Sequence, residues 1–446
     1  MPEAEKEKRR PQPSVGVVLA GGEIVEMIRA QEGETRFLVW DGEASCEERF
    51  VDLPSGVRLL PYSPENNLLV HEVVLFPSDT EEYGSDAELA SAVQTFIHRY
   101  VDLSPLYEEV TAWYVLFTWV YDSFNEVPYL RVRGDYGSGK SRFLLTVGSL
   151  CYRPIFASGA STVSPIFRIL DAFKGTLIVD EGDFRVSDEK AEVVKILNSG
   201  NSRGFPVLRS ERTPSKEFNP TAYSVFGPKL VATRGFFEDR ALESRCITEE
   251  LGGRSLRSDI PLNLPASFRE EALRLRNKLL LYRFRNRGRE RLLASVEDRT
   301  LEPRVSQIFA PLLATVSDVQ ARERVRAFAQ GTNRELTVER SGTIEAQVVE
   351  VLAEFGGTRE TVPVKEITER FSKRFGDELE RPVSPRWIGS ILRRRLYLAP
   401  YKSNGTFVLS LADREKTARL LEKYGVSGDG DVGMSQGDAL ADERPR

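Results

Sequence analysis

No part of this 446-residue sequence limits its possible folds more than GDYGSGKS, residues 134–141. The motif lies between PYLRVRG, an apolar run typical of a strand, and SRFLLTVGSL, a run typical of a helix. Glycine permits positive φ and lets a ligand approach backbone N–H groups, which bind phosphate oxygens, and the following helix contributes its positive N-terminal end. The pattern predicts a phosphate-binding loop between a strand and a helix.

The last two residues of this motif predict that the ligand is ATP with Mg²⁺. Lys140 would reach the β- and γ-phosphates, and the hydroxyl of Ser141 would hold the metal ion. A glycine-rich turn without a ligand is the alternative, but the flanking strand and helix are the context that a nucleotide site requires. The residues predicted to bind the nucleotide are Gly134, Gly137, Ser138, Gly139, Lys140, Ser141 and Arg142.

An acidic pair follows the loop motif in the segment GTLIVDEGDF. We predict a strand over Leu177–Val179 that neighbours the strand of the phosphate loop. An acid at the carboxyl end of such a strand can reach the metal, so Asp180 is predicted as a metal ligand. Glu181 would polarise the attacking water, and Asp183 is an alternative for either role.

Hydrolysis also needs a group that senses the γ-phosphate and a cation that stabilises its developing charge. A third core strand over residues 229–232 leads to Thr233, which we predict to contact the γ-phosphate or the water. Arg245 in ALESR and Arg240 in FEDR are candidates for an arginine finger, which ring-shaped ATPases supply from a neighbouring subunit. In the alternative interpretation, both arginines only pair with acids of their own helix.

Residues 127–250 alternate apolar strand-like runs with helical runs, which predicts a parallel sheet covered by helices on both faces. With GDYGSGKS, LIVDE, the strand before Thr233 and ALESR, this region resembles the AAA+ class of P-loop ATPases. The flanking segments TWVYDSFNEVPYLRVRG, SPIFRILDAFKG and ILNSGNSRG resemble helicase-like ATPases of phages, plasmids and integrated elements, which are related to MCM and superfamily III helicases. The resemblance covers about residues 104–330.

The resemblance implies further roles for individual residues. The ALxSR segment carries the finger in such proteins, which favours Arg245 over Arg240. A sensor 2 arginine begins a lid helix, and EPRVSQIFAPLLATV puts Arg304 at that place. The first 80 residues do not resemble a primase, so the resemblance does not extend to priming.

The charge pattern predicts two nucleic-acid contacts. A hairpin of residues 204–208 and 222–226 would carry Arg209, Arg212 and Lys216 toward its tip, where helicase relatives have a DNA-contacting loop; a solvated loop is the alternative.

Near the C-terminus, three predicted helices over residues 343–355, 364–375 and 385–396 precede two strands around Ser403-Asn404-Gly405. Three helices followed by a hairpin are the element order of a winged helix. From Arg381 to Ala412 the sequence has six basic residues and no acid. The predicted DNA contacts there are Arg386, Arg393, Arg394 and Lys402.

The predicted architecture is an α/β chain with an AAA+ P-loop core on a parallel sheet, preceded by a small β-rich domain and followed by a helical lid and a winged helix. The predicted segments are a tail at 1–13, a β-rich domain at 14–80, a helical lead-in at 86–126, the core at 127–260, the lid at 261–335, the winged helix at 341–424 and a disordered tail at 425–446.

The composition of the chain indicates its cellular compartment and which binding partners it can have. The hydrophobic content of 41% is enough for a large core, and three scattered cysteines favour a reducing cytoplasm over a disulfide framework. The apolar stretch VTAWYVLFTWVY is shorter than the roughly 20 residues that span a bilayer, so we predict a buried helix and no membrane partner. The net charge of −5 does not exclude DNA, because basic residues cluster locally.

These observations predict a ring-forming, ATP-dependent DNA helicase or translocase that acts in the replication of a phage, plasmid or integrated element. The expected oligomer is a hexamer, and the expected partners are DNA and other replication proteins. An ATP-driven remodeller or regulator, tethered to DNA or protein by its winged helix, is the first alternative. A nucleotide-dependent binding switch with little turnover is the second.

Overall fold

The computed structural model describes residues 10–30, 32–159, 161–180, 188–210, 219–237, 239–253, 256–288, 293–355, 359–376 and 382–426. Contacts between residues group the chain into two compact units, residues 1–329 and 330–446. None of the helices in the described ranges is long and apolar enough to cross a membrane.

The described part of the chain begins with strands, alternates strands and helices in the middle, and then continues mostly with helices. The described strands are β1 (Arg10–Ser14), β2 (Gly16–Val18), β3 (Ile24–Arg29), β4 (Thr35–Trp40), β5 (Ser45–Glu48), β6 (Val51–Asp52), β7 (Val57–Pro61), β8 (Tyr129–Arg133), β9 (Ile155–Ala157), β10 (Leu177–Val179), β11 (Val207–Arg209), β12 (Thr221–Tyr223), β13 (Lys229–Thr233), β14 (Cys246–Glu250), β15 (Thr361–Pro363), β16 (Tyr401–Ser403) and β17 (Thr406–Ser410). The described α-helices are α1 (Asn67–Val70), α2 (Asp86–Tyr100), α3 (Pro105–Val120), α4 (Lys140–Gly148), α5 (Val163–Phe173), α6 (Asp188–Ser199), α7 (Arg240–Glu243), α8 (Ser267–Asn286), α9 (Leu293–Val296), α10 (Pro303–Thr315), α11 (Val319–Ser341), α12 (Ile344–Ala353), α13 (Val364–Phe375), α14 (Pro385–Arg394) and α15 (Arg414–Tyr424).

A five-stranded sheet with the order β14-β8-β13-β10-β9 forms the centre of the first unit. All its neighbouring strands run parallel, and β10 and β13 are buried along their whole length. The predicted parallel sheet is therefore confirmed. The expectation that Leu177–Val179 neighbours the phosphate-loop strand is wrong, because β13 lies between β8 and β10. Sequence separation gives no information on this order, since parallel strands are joined by long crossovers.

Helix α3 is the buried helix that the apolar stretch predicts. Thirteen of its sixteen residues are buried. The hydroxyl of Tyr107 donates to the carbonyl of Arg131 at 2.7 Å, and that of Tyr114 donates to the carbonyl of Pro128 at 3.0 Å. Both bonds reach β8 or the residue before it, so the polar tips of these aromatic side chains fix α3 against the central sheet.

Two further sheets form the amino-terminal part of this unit. One is antiparallel with the order β2-β3-β4-β5, and the other has the order β1-β7-β6. Strand β1 pairs in parallel with β7, so residues 10–13 belong to a sheet and not to the predicted tail. Pro11 and Pro13 are compatible with this strand because it is an edge strand and they are two residues apart, so both missing N–H groups face the unpaired side.

A buried carboxylate attaches the four-stranded sheet to the rest of the first unit. Glu26 on β3 accepts hydrogen bonds from Arg153 at 2.6 Å and from Arg283 on α8 at 2.6 Å. The hydroxyl of Tyr152 donates to the same carboxylate at 2.8 Å, and Arg283 also donates to Asp122 at 2.8 Å. Removing one member of such a buried cluster leaves an uncompensated buried charge, which is strongly destabilising.

In the second unit, the described residues form the end of α11, the helices α12, α13, α14 and α15, and an antiparallel sheet with the order β15-β17-β16. Its apolar core includes Val349, Ile367, Phe371, Ile388 and Leu409. The predicted hairpin is confirmed: β16 and β17 pair across a two-residue turn. Asn404 and Gly405 have φ of 47° and 81°, the left-handed conformation that such a turn requires.

Candidate functional site

The carboxyl ends of the central strands meet at one edge of the sheet. The phosphate-loop motif follows β8, Asp180 follows β10, and Thr233 ends β13. The N–H of Gly134 donates to the carbonyl of Thr233 at 3.1 Å, so the loop begins beside the end of β13. The structure therefore brings three separate sequence motifs together at this edge.

The glycines of the loop occupy positions that another residue would not fit. Gly137 and Gly139 have φ of 73° and 92°. A Cβ on Gly134 would lie 2.4 Å from the carbonyl oxygen of Leu251. Because the loop needs both positive φ and close backbone approach, its shape follows from its sequence.

The ammonium of Lys140 lies over the same loop. It donates to the carbonyls of Gly134 at 2.6 Å and of Asp135 at 2.7 Å. Lys140 is also the first residue of α4, whose amino-terminal end points its N–H groups toward the loop. A cation and a helix N-terminus at one place form a favourable environment for a phosphate anion.

The two predicted metal ligands contact each other. The hydroxyl of Ser141 donates to a carboxylate oxygen of Asp180 at 2.8 Å. Helix α4 packs across β13 and β10, which lets Ser141 reach Asp180 although β13 separates the two strands. Hydroxyl and carboxylate oxygens are ligands that Mg²⁺ prefers, and phosphates usually complete its shell.

A further observation fits a phosphate at the loop. The hydroxyl oxygen of Ser138 is buried and has no hydrogen-bond partner among the described residues. No group of three or more His, Cys, Asp or Glu side chains in the described ranges could hold a metal without a ligand's help. A Mg²⁺ ion here would be held by Ser141, Asp180 and the phosphates, and would neutralise phosphate charge.

A cavity of about 590 Å³ lies beside the loop. Arg142, which we predicted to contact the nucleotide, lines this cavity, and it donates to the carbonyls of Pro261 at 3.1 Å and of Leu262 at 2.6 Å, which lie in the cavity wall. The volume and mixed lining suit a small ligand such as a nucleoside. Sequence reasoning missed most of the wall, which includes Tyr100, Val101, Leu251, Leu256, Ile260 and Leu262.

Of the predicted sensor and the predicted base, only the sensor Thr233 lies among the described residues. Thr233 is buried at the end of β13, and its hydroxyl donates to the carbonyl of Gly235 at 2.9 Å. Its oxygen keeps the capacity to accept a hydrogen bond. Glu181 and the alternative Asp183 lie outside the described residues.

Arg245 lies at the opposite edge of the central sheet. Its carbonyl accepts from the N–H of Tyr129, the first residue of β8, whereas the phosphate loop follows the last residue of that strand. Five residues of strand separate the two edges by roughly 13 Å. Arg245 therefore lies away from the phosphate loop of its own chain.

Two amides hold the guanidinium of Arg245 in place. It donates to Asn198 at 2.6 Å and to Asn201 at 2.8 Å. Burial, followed by the nearby charge of Arg304, lowers the pKa of Arg245 below its ordinary value. Of the two acids in the alternative interpretation, Glu243 is bonded to Arg131, whereas the nearby charge of Asp239 acts on Arg245 and opposes this lowering of its pKa.

The other two candidate cations are placed differently. Arg304 is near the start of α10, as the sequence predicts, and donates to Gln307 at 2.7 Å. Gln307 in turn donates to Glu126, which precedes β8. Arg304 therefore lies at the same edge of the central sheet as Arg245, opposite to the phosphate loop of its own chain. Arg240 is exposed in the first turn of α7.

A buried ion pair links the central strand to the segment that carries Arg245. Arg131 on β8 is 1% exposed and donates to Glu243 on α7 at 2.7 Å and to Thr248 at 3.0 Å. Glu243 also accepts from the N–H of Phe237 at 2.9 Å. The pair thus fixes the path of the chain between Thr233 and Arg245, and neither of its members stood out in the sequence.

The hairpin predicted between the second and third core strands is present. Strands β11 and β12 pair antiparallel with Leu208 opposite Ala222. Arg209 forms an ion pair with Glu192 at 3.2 Å, and both side chains are partly exposed. The predicted DNA contacts Arg212 and Lys216 lie outside the described residues.

The second unit carries the other predicted nucleic-acid contacts. Arg386, Arg393, Arg394 and Lys402 are all exposed. Arg395, which directly follows the last residue of α14, pairs with Glu345 at 3.0 Å. Trp387 packs partly buried against the core and contacts Phe371 edge to face, as expected for a structural residue.

The fold and site define an α/β protein with a phosphate-binding loop at the carboxyl edge of a five-stranded parallel sheet.

No protein-family model matches the sequence, and no curated protein matches it. Among solved structures, the chain is similar to the C-terminal region of NrS-1, with 11% identity, a TM-score of 0.37, and coverage of 86% of this chain and 96% of that chain. It is similar to the active helicase Cch of SCCmec type IV, with 11% identity, a TM-score of 0.40, and coverage of 93% and 80%. It is also similar to the Aeropyrum pernix Orc1 protein in complex with DNA, with 14% identity, a TM-score of 0.23, and coverage of 75% and 96%.

Proposed function

We propose that this chain is an ATP hydrolase of the AAA+ type that moves along or unwinds DNA. The observation that carries the proposal is the hydrogen bond between Ser141 and Asp180 beside Lys140. A metal-binding hydroxyl, an acid and a phosphate-binding lysine at one sheet edge are the groups that ATP hydrolysis with Mg²⁺ requires. Glu181, next to Asp180, is proposed as the residue that polarises water.

We further propose that the protein works as a ring, with a hexamer as the expected size. Arg245 and Arg304 lie at the edge opposite to their own phosphate loop, so they can serve a nucleotide only on a neighbouring copy. Asn198 and Asn201 orient Arg245 without neutralising it, which suits a cation that meets developing phosphate charge. Arg240 is the second candidate for this finger.

DNA is the proposed partner, through the β11–β12 hairpin and through a C-terminal winged helix. The exposed cations of α14 and the hairpin of β16 and β17 support phosphate contact by the second unit. Replication of a phage, plasmid or integrated element is the proposed setting, and it comes from the sequence resemblance alone. The segment that follows the core, including α8 to α10, is proposed as the lid.

One observation favours a second function. The ion pair between Arg209 and Glu192 reduces the charge that the β11–β12 hairpin offers to DNA. A remodeller or regulator that is tethered through its second unit, without strand separation, would need no such charge. Arg209, Arg212 and Lys216 therefore decide between the two functions.

The proposal is tested by strand displacement on forked DNA with ATP, beside a size measurement with and without nucleotide. We expect unwinding, a nucleotide-stabilised oligomer, and ATPase activity that DNA stimulates. Changing Arg209, Arg212 and Lys216 together to alanine should abolish the stimulation. Stimulation that survives this triple change, together with absent unwinding, would support the tethered remodeller.

A further inference from the structure

We propose that the second unit binds unpaired DNA by stacking a base on Phe407, with Lys402 and Arg393 holding the adjoining phosphates. These three residues are called the hairpin surface below. The inference rests on the proposed DNA-dependent function and specifies its ligand as a single strand. A resemblance to winged helices predicts only phosphate contact, so the aromatic component comes from the structure.

The hairpin surface is defined by the strand register. Lys402 on β16 lies directly opposite Phe407 on β17. Directly opposed residues of an antiparallel pair point to the same face, with Cβ atoms about 5 Å apart. The guanidinium carbon of Arg393, at the end of α14, lies 5.4 Å from the centroid of the Phe407 ring. Two cations therefore flank one aromatic ring.

The ring is available to a ligand. Phe407 is 48% exposed, although Leu409, two residues on and on the same face, is buried in the core. Leaving a large apolar ring half in water costs free energy that burial would recover. The ring therefore extends past the core at the tip of the hairpin, where a flat ligand can cover it.

The charged residues around Phe407 favour a negatively charged ligand. Segment 382–412 contains no Asp or Glu. Among the described residues, no carboxylate forms an ion pair with Arg393 or Lys402. Acids of α12 and α13 instead pair with other cations: Glu345 with Arg395 at 3.0 Å, Glu350 with Arg374 at 2.8 Å, and Glu366 with Arg359 at 2.8 Å. The field around Phe407 is therefore positive and attracts a polyanion.

A single strand fits this chemistry better than a duplex does. In a duplex each base is covered by its neighbours, and its accessible surface is the sugar-phosphate backbone and the groove edges. A phenyl ring placed there would lose water without gaining a stacking partner. An unpaired base offers its flat face to the ring while its phosphates meet the cations.

The other face of the same hairpin supplies a matched control. Tyr401 lies opposite Val408, one residue out of phase with Phe407, and is 47% exposed. Its ring is similar in size and exposure, but it points to the face away from Lys402. A loss of affinity that depends on the hairpin surface should appear for Phe407 and not for Tyr401.

The test measures binding of the full chain to a thymidine oligomer and to an oligomer of equal length in which several bases are replaced by abasic sites. Stacking is worth a factor of about 5 to 160 per base on alanine substitution. We expect the unmodified protein to prefer the oligomer with bases, Phe407→Leu to bind both oligomers alike, and Phe407→Tyr and Tyr401→Ala to keep the preference. Lys402→Ala should weaken binding of both oligomers and lower the salt slope by about 0.7.

The base preference of the Phe407→Leu variant tests whether a base stacks on this ring. A base preference that Phe407→Leu leaves intact would overturn the inference, as would an equal loss of blunt-duplex binding in that variant, which would assign the surface to duplex DNA. ATPase assays on the same samples separate this from the proposed function. If single-stranded DNA binds and stimulates ATPase but the preference survives Phe407→Leu, only the inference fails; if DNA neither binds nor stimulates, the proposed function fails as well.

Discussion

The hydroxyl of Ser141 lies 2.8 Å from the carboxylate of Asp180, although these residues are 39 positions apart in the chain. The contact crosses β13, because α4 passes over that strand on its way from the phosphate loop. It joins the two residues that would hold the metal, and both protein oxygens are then in position before a metal binds.

Replacing either partner should reduce ATP hydrolysis without unfolding the protein. We expect Ser141→Ala and Asp180→Asn to lower kcat about 100-fold or more, since each removes a metal ligand, and Lys140→Ala to abolish turnover. A coupled ATPase assay across a Mg²⁺ titration measures this. Ser91→Ala, on the exposed face of α2, is the control. Full activity in Asp180→Asn would remove this residue from the metal site.

Glu181→Gln should separate nucleotide binding from hydrolysis. The amide keeps the size of the side chain but does not polarise water as a carboxylate does, so we expect normal ATP binding and at least a 100-fold slower turnover. Binding of a fluorescent ATP analogue and single-turnover hydrolysis test the two steps. Turnover at the normal rate would transfer the role to Asp183.

Mixing two inactive variants should restore activity if Arg245 serves a neighbouring copy. Lys140→Ala subunits keep the finger and Arg245→Ala subunits keep the loop, so about one quarter of the sites in a mixed ring combine an intact loop with an intact finger. We expect an equal mixture to hydrolyse ATP faster than either variant alone. A mixture with no gain, alongside a gain with Arg240→Ala, would assign the finger to Arg240.

The ion pair between Arg131 and Glu243 should matter for stability. Glu243→Ala leaves the guanidinium of Arg131 buried without its carboxylate, and we expect a loss of about 3–5 kcal/mol in the free energy of unfolding. Glu250→Ala is the matched control: its pair with Arg133, which is also on β8, is 2.6 Å long, but Glu250 is 69% exposed. We expect about 0–1 kcal/mol there. Equal losses in urea denaturation would contradict the explanation by burial.

Lys229 should make stability depend on pH. It is fully buried at the start of β13, and its ammonium donates to the carbonyls of Val225 at 3.0 Å and Gly227 at 2.6 Å. Burial lowers its pKa from 10.5 to about 7. Between these pH values the unfolded chain holds a proton that the folded chain releases, so the contribution of Lys229 to the free energy of unfolding rises with pH in this window.

The variant Lys229→Met isolates this effect. The free energy of unfolding of the unmodified protein should increase relative to that of the variant from pH 7 to pH 10, by about 4 kcal/mol at most. Urea denaturation at several pH values measures the difference. A difference that stays constant across this range would show that Lys229 keeps an ordinary pKa in the folded protein.

The sequence by itself determined the local features whose geometry depends on few neighbouring residues. The loop at 134–141 follows from glycine positions that permit positive φ, and the turn at Asn404 and Gly405 follows from the same property. Alternating apolar runs were sufficient for a parallel sheet, because such strands are buried on both faces and cannot be mistaken for amphipathic ones.

Only the tertiary structure decided which distant residues meet. It is the tertiary fold that places β13 between β8 and β10, brings Arg304 near Arg245, and lets Arg142 bond the carbonyls of Pro261 and Leu262. Residues 10–13 joined a sheet because β7 offered a partner edge more than forty residues away. Such contacts form between elements separated by long crossovers, and their energies depend on packing that no local pattern records.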